Sequence, residues 1–507
     1  MHVGTAFDLY ITSYDFYGES KQGASLSVSI LFCKGSERVL TVKNADLFIN
    51  ETDYADLDME DADAHLSSAL RFRTTSYIDT SRIDYAQFTA FHDFLKKTYP
   101  HVLAASEWEE IGYSLLIRIP GSDPSLKPAL FMAHQDVVPV VPGTEQDWLH
   151  DPFSGDIADG FIWGRGAMDI KEMLIGILES AEYLLSHGRQ FRRSVYLAFG
   201  EDEETVSVGA VAICKTLEKR GVELEYVLDE SSADVLDAAD YGAPGALVCT
   251  VGTYEKGYAD MKLTACSRGG HSSNPFRGTS LQTLAKAITA ITEHPTKPHL
   301  SDAIRSALST LRPKITEEPM KTWVQDIDAH EEEIIQWFLS KEGLYHQVRT
   351  TSAPTQIDPG SPAGNVMPQN MSAVINFRLA PPDTPESLLQ HCREVTNGEV
   401  ELSYVQEIEA SRPSDTNALG YRSLTAAAGH YFDRVIFIPV QNRGATDARR
   451  YEPVCRCCLR FGPFLEEEAI SAEGIHGTNE RISLRAYHQG IRVLVRMMES
   501  TCCLERV

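Results

Sequence analysis

From residue 76 onward the chain alternates between two hydrophobic rhythms. Apolar and aromatic residues recur at helical spacing over 85–95, 171–187 and 211–219, the period of an amphipathic helix. Short apolar, partly β-branched runs fill 114–119, 130–133, 194–199 and 226–228, and runs of that length predict buried strands. Gly188 and Gly221 stop two of the helices, as glycine does just past a helix end. Strands and helices in turn, with short connections, predict an α/β fold built on a mixed, mainly parallel sheet flanked by helices.

The rhythm changes after 253–257. Residues 258–263 and 372–379 alternate apolar with polar, the period of a sheet with one wet face. Between them 282–294 reads as a helix. So does 323–339, with Trp323, Ile327, Ile334, Ile335 and Phe338 as its buried stripe. Residues 258–380 are therefore expected to be an inserted, smaller α/β sandwich. The chain then returns to the first domain with a helix over 385–395 that Thr384 caps and Pro385 begins. The expected organisation is an extension over 1–65 and a first domain made of 66–257 and 381–507, interrupted by the insertion.

Composition narrows the function. At 507 residues, two domains are the ordinary expectation. Lys+Arg number 46 against 72 Asp+Glu, a net charge of −26, and such a surface repels nucleic-acid backbones. No run reaches the roughly 18–20 apolar residues of a membrane span. The stretch 24–33 is short and follows Asp8, Asp15 and Glu19, so no signal peptide is expected. Ten cysteines in this length do not make a disulfide framework. Cys33, Cys214, Cys249, Cys266 and Cys392 read as core residues. Cys455, Cys457 and Cys458 read as local packing, since C-x-C-C is not the spacing of a thiolate metal site.

Five short segments carry chemistry. His134 and Asp136 lie two apart at a strand exit, and a metal-binding histidine wants an orienting carboxylate nearby. Asp169 follows two glycines at the start of the 171–187 helix; it is either an N-cap or a carboxylate able to bridge two cations. Glu201, Asp202, Glu203 and Glu204 directly follow a buried strand, at the edge where open α/β sheets bind ligands. Adjacent side chains diverge there, so one acid can bind metal while its neighbour moves a proton. Asp229 ends another apolar strand, and His476 lies in a loop with Gly474, Gly477 and Asn479. Two histidines and several carboxylates suit zinc, or less specifically cobalt or manganese.

In order along the chain, HQDVVP, WGRGAMD, DEE, LDE, EKG, GGHSS, GNVMP, NFRLAP and HGTNERI resemble the motifs of the M20 zinc metallopeptidases. The branch is that of carboxypeptidase S and the N-fatty-acyl-amino-acid hydrolase/synthases, and the likeness spans about 66–495. It implies two zinc ions per chain on His134, Asp169, Glu204, Asp229 and His476, with Asp169 as the bridge. It also implies that Asp136 orients His134, that Glu203 is the general base, and that His271 stabilises an oxyanion. Asn365 and Arg378 would bind substrate, a small peptide or an N-acyl amino acid. The insertion is similar to the family's lid, through which homodimers form. The branch resembles vacuolar and secreted enzymes, and Asn50 and Asn370 fit glycosylation sequons. One departure stands out. Where the family has a glycine pair after its acids, this chain has Thr205-Val206-Ser207-Val208, whose β-branched residues resist positive φ. That turn motivates the alternative of a homologue that binds metal or an amino-acid derivative without turnover.

Overall fold

The computed structural model describes residues 44–231, 234–275, 278–442, 444–466 and 474–504. Its main element is a nine-stranded sheet. Along the path the strands run Glu107–Ile111, Ser114–Ile119, Val195–Gly200, Ala129–His134, Tyr226–Asp229, Cys458–Arg460, Leu247–Glu255 and Val435–Asn442, with Val235–Asp237 added beside Leu247–Glu255. The Ala129–His134 strand pairs in parallel with both its neighbours, and Cys458–Arg460 pairs in parallel with Tyr226–Asp229. Every residue of Ala129–His134, Val195–Gly200 and Tyr226–Asp229 is buried. That is why these strands read as unbroken apolar runs rather than as alternations.

Helices Lys171–Ser186 and Leu484–Cys502 pack together in the same core, with Met59–Leu70 against the first of them. The expected extension needs correcting where it is described. Leu47, Phe48, Leu57 and Ala62 are buried in the main core, and Phe48 bridges to Phe432. Residues 1–43 lie outside the described residues.

The second sheet has four antiparallel strands in the order Thr351–Ile357, Asn370–Leu379, Gly257–Cys266 and Glu401–Ile408. Ala259, Met261, Leu263, Ile375 and Phe377 alternate inward onto helices Ser280–Glu293 and Pro385–Val395 through Leu284, Ile291, Leu388 and Cys392. Thr384 caps the latter helix in a reciprocal box with Ser387. The return to the first domain at 385 is thus a second correction: helix Pro385–Val395 and strand Glu401–Ile408 complete the small sheet. Its apolar stripe of Leu388 and Cys392 matches that core, a fact periodicity alone does not encode.

A third correction concerns 300–348. Its helices bury Ile304, Leu308, Ile334, Ile335 and Phe338 against Val248 and Ile438 of the large sheet rather than against the small one. The expected 323–339 helix is two, Met320–Trp323 and Glu331–Leu339. Asp326 between them accepts the Ala329 amide, the local side-chain bond that competes with helix. Ile334, Ile335 and Phe338 are fully buried, while Trp323 and Ile327 pack partly buried at the margin. Cys455, Cys457 and Cys458 are buried in the main core, whereas Cys266 is exposed at a strand end, against expectation. No helix of the described residues is long and apolar enough to cross a membrane.

Candidate metal centre

The site gathers at the carboxyl ends of the central strands. His134 is the last residue of its strand and sits in register with Gly200. A side chain at Gly200 would meet the Asp447 carboxylate at 2.8 Å, so glycine keeps this edge open. The Nδ1 of His134 donates to the Asp136 carbonyl at 2.9 Å. A carbonyl can only accept, so the proton is on Nδ1 and Nε2 is left for a ligand. That Nε2 lies 3.1 Å from Oδ1 of Asp169 and 3.6 Å from Oε1 of Glu230.

The other oxygen of Asp169 faces the second histidine: Oδ2 lies 2.8 Å from Nε2 of His476, which is also 3.0 Å from Oε1 of Glu204. Asp169 therefore serves both imidazoles and does not cap the adjoining helix, which starts at Lys171 with no side-chain cap. Pairing of Arg481–Ser483 with Phe161–Trp163 brings the His476 loop to it, because one strand leads into the Asp169 loop and the other leaves the His476 loop.

Asp136 is wholly buried, and its carboxylate has more to do than orient His134. It accepts the Ser76 hydroxyl at 2.6 Å and the amides of Glu203 and Glu204 at 3.1 and 3.2 Å. The unusual turn that follows is ordered by Asp202. Its carbonyl accepts from Thr205, Val206 and Ser207, and its carboxylate from the Val208 and Gly209 amides at 2.8 Å each. Within this turn the left-handed residue is Ser207, at φ 56°, while Thr205 and Val206 are not left-handed. The β-branched pair thus avoids the conformation it would resist, and Glu203 and Glu204 reach the cluster.

Asp229 does not. Its Oδ2 accepts the Ala448 amide at 2.6 Å, while the neighbouring Glu230 reaches His134. Among the described residues, His134 with Glu203 and Glu230, and His134 with Asp169 and Glu204, bring ligand atoms within 4.8 Å of one another. The sequence displays Glu230 beside Asp229, but which of two adjacent acids faces the cluster depends on where the strand turns. Glu480 and Arg165 were also missed as contributors. Glu480 pairs with Arg165 and accepts the Gly166 and Met168 amides.

Electrostatics make this an acid-rich site in need of cations. Burial pushes the Glu203 carboxyl well above its usual range; Asp447, Glu204 and Asp136 add to this and His134 opposes it. Burial likewise raises Glu230, with Asp169, Glu203 and Asp229 adding and His134 opposing. Burial opposes charge on His134, yet Glu230, Asp136 and Asp169 hold it well above the usual imidazole value. His476 is pushed up to about 10 by hydrogen bonds to Asp169 and Glu204. Burial opposes the Asp169 carboxylate, but the two histidines hold it well below the usual range. Carboxylates this close repel one another unless positive charge sits between them. The donors present, imidazole nitrogen and carboxylate oxygen, are those that bind zinc and its neighbours.

His271 and Asn365 are brought together elsewhere. His271 pairs with Val366 in a two-stranded ladder, and the Ser272 amide donates to the Asn365 carbonyl. The Ser273 amide donates to Nδ1 of His271 at 3.2 Å, so its Nε2 carries the proton and can donate outward. Arg378 is not with them; it lies on the four-stranded sheet over the Tyr258 ring, 4.8 Å from its centroid. Among the described residues, no hydrogen bond links these three to the metal cluster.

The profile of peptidase family M20/M25/M40 matches residues 130–500. A carboxypeptidase S-like protein of Dictyostelium discoideum is 33% identical over 443 residues, covering 86% of this chain and 84% of its own. The N-fatty-acyl-amino acid synthase/hydrolase of Xenopus tropicalis is 32% identical over 470 residues, covering 89% and 88%. An M20 family metallo-carboxypeptidase of Sulfolobus solfataricus shares the fold with a TM-score of 0.57 at 19% identity, over 86% of this chain and 97% of that one.

Proposed function

Because the chain belongs to peptidase family M20/M25/M40, we propose that it hydrolyses the amide bond of a small peptide or N-acyl amino acid with two divalent metals and Glu203 as base. The carrying observation is that two imidazole nitrogens face the two oxygens of one carboxylate, Asp169. In this reading His134, Glu230 and Asp169 hold one ion, and Asp169, Glu204 and His476 the other. Zinc is the expected metal, with cobalt or manganese as substitutes. Bound there, such ions polarise the scissile carbonyl and lower the pKa of water.

The rest falls to the chain. Asp136 fixes the backbone of Glu203 and Glu204. Glu203 makes no side-chain hydrogen bond among the described residues and is free to take a proton and return it to the leaving nitrogen. His271, through Nε2–H, would donate to the developing oxyanion, and Asn365 and Arg378 would bind substrate. Arg378 suits a substrate carboxylate because its planar fork can bind one bidentately. The four-stranded sheet with its two helices would be the lid and the homodimer contact, which light scattering of the purified protein tests.

A screen of N-acyl amino acids against blocked dipeptides, with zinc added, tests the whole. Glu203→Gln should lower kcat by about 10²–10⁴-fold with metal content unchanged. A zinc-loaded wild type that cleaves neither class would sink the proposal.

A further inference from the structure

The His476 side chain is 50% exposed, and His476 and Asn479 take left-handed φ of 59° and 64°. Non-glycine residues keep such angles when their surroundings dictate them. Here the surroundings are two buried charged side chains that grip in opposite directions. Arg165, four residues before Asp169, donates through Nη2 to the carbonyls of His476 and Gly477 at 3.1 and 3.0 Å. Glu480, four residues after His476, accepts the Gly166 and Met168 amides at 3.0 and 2.9 Å, and its carbonyl accepts the Gly164 amide at 3.0 Å. Arg165 and Glu480 pair with each other, and both are at least 98% buried. Each metal-ligand loop thus carries the side chain that holds the other loop.

The clasp extends to the segment 147–149 as well. The Trp148 ring lies 5.5 Å from the Arg165 guanidinium. The Asn479 side chain accepts the Leu149 amide at 2.6 Å and donates to the Asp147 carbonyl at 3.3 Å.

We propose that Arg165 and Glu480 are positioning residues that set the separation of Asp169 and His476. The second metal subsite then depends on them more than the first, whose His134 and Glu230 they do not touch. The inference rests on the two-metal reading above. Glu480→Gln keeps an acceptor for the two amides but turns an NH2 toward the guanidinium. Arg165→Met removes the guanidinium's hydrogen bonds and its pairing with Glu480, and Arg165→Lys restores the charge without the fork.

Two measurements test it. Amide hydrogen exchange of the metal-free protein should show faster exchange at 474–480 and 147–149 in Glu480→Gln and Arg165→Met, partly restored in Arg165→Lys. Zinc titration against a chromophoric chelator should show the weaker of two steps loosened about 10–100-fold in Glu480→Gln and the tighter step within about twofold of wild type. The kcat of that variant should recover with excess zinc while KM stays constant. Unchanged exchange in both variants, or equal loosening of both zinc steps, overturns the proposal. Wild type that binds fewer than two zinc ions overturns the two-metal reading instead, and the exchange comparison then judges the clasp alone.

Discussion

Replacing Asp136 with asparagine keeps the side chain's shape and removes one acceptor. Glu203 N–H donates to Oδ1, while Glu204 N–H and the Ser76 hydroxyl donate to Oδ2. An asparagine must put its NH2 in one of those two places. The Ser76 hydroxyl can rotate and accept, but a peptide N–H cannot. Whichever way the amide is turned, one of the two acid-bearing amides loses its partner inside a buried site. Hydrogen bonds to a charged acceptor are worth about 1.5–3 kcal/mol, and each 1.36 kcal/mol is a factor of ten in rate. If that loss is felt as misplacement of Glu203 or Glu204, kcat falls by about 10- to 150-fold. Ser76→Ala leaves both amides satisfied and should lower kcat less than Asp136→Asn does. Steady-state kinetics on the best substrate of the screen, with zinc content measured alongside, decide the matter. Wild-type kcat in Asp136→Asn, or a larger loss in Ser76→Ala, would refute the claim that this carboxylate holds the turn.

Three further outcomes follow from the geometry. Glu230→Gln should reduce bound zinc measured by atomic absorption, whereas Asp229→Asn, which faces the Ala448 amide, should lower the melting temperature and spare metal content. In the metal-free protein His476 titrates near 10, so at neutral pH it is protonated and metal must expel that proton. Zinc affinity should therefore rise with pH between about 6 and 8, and calorimetry in buffers of different ionisation heat should register at least one proton released. Arg460→Met strips Glu255 of its 2.8 Å partner in a wholly buried pair, leaving Arg449 at 3.3 Å and the Thr446 donors. It should destabilise by about 3–5 kcal/mol, and Glu255→Gln added to it should recover part of the loss in denaturant melts.

What was legible in the sequence was local. The bounds of Ser114–Ile119 and Pro385–Val395 coincide with the expected ones, because apolar period, cap and proline all lie within the segment. The structure brings His134, Asp169, Glu203, Glu204 and His476 close together, each from a segment that stands out on its own in the sequence. What was not legible depends on tertiary packing. Helix Pro385–Val395 shows an apolar stripe but not which sheet will cover it. Asp229 and Glu230 are chemically equivalent until the strand ends. Arg165 and Glu480 are 315 residues apart, and nothing in the neighbourhood of either marks it as the other's buried partner.

The strand Cys458–Arg460 lies between Tyr226–Asp229 and Leu247–Glu255 in the large sheet, and His476 comes later still. During synthesis the chain must wait for both. His476 leaves the ribosome 272 residues after Glu204, a delay of roughly 14–54 s at 5–20 residues per second. Until Cys458–Arg460 emerges, the middle of the sheet is open along two strand edges, with apolar residues on both sides of the gap. Edges of that kind invite pairing with other chains. Closure of the large sheet and assembly of the His134–Asp169–His476 cluster therefore both wait on residues 458–476, long after His134, Asp169 and Glu204 have emerged.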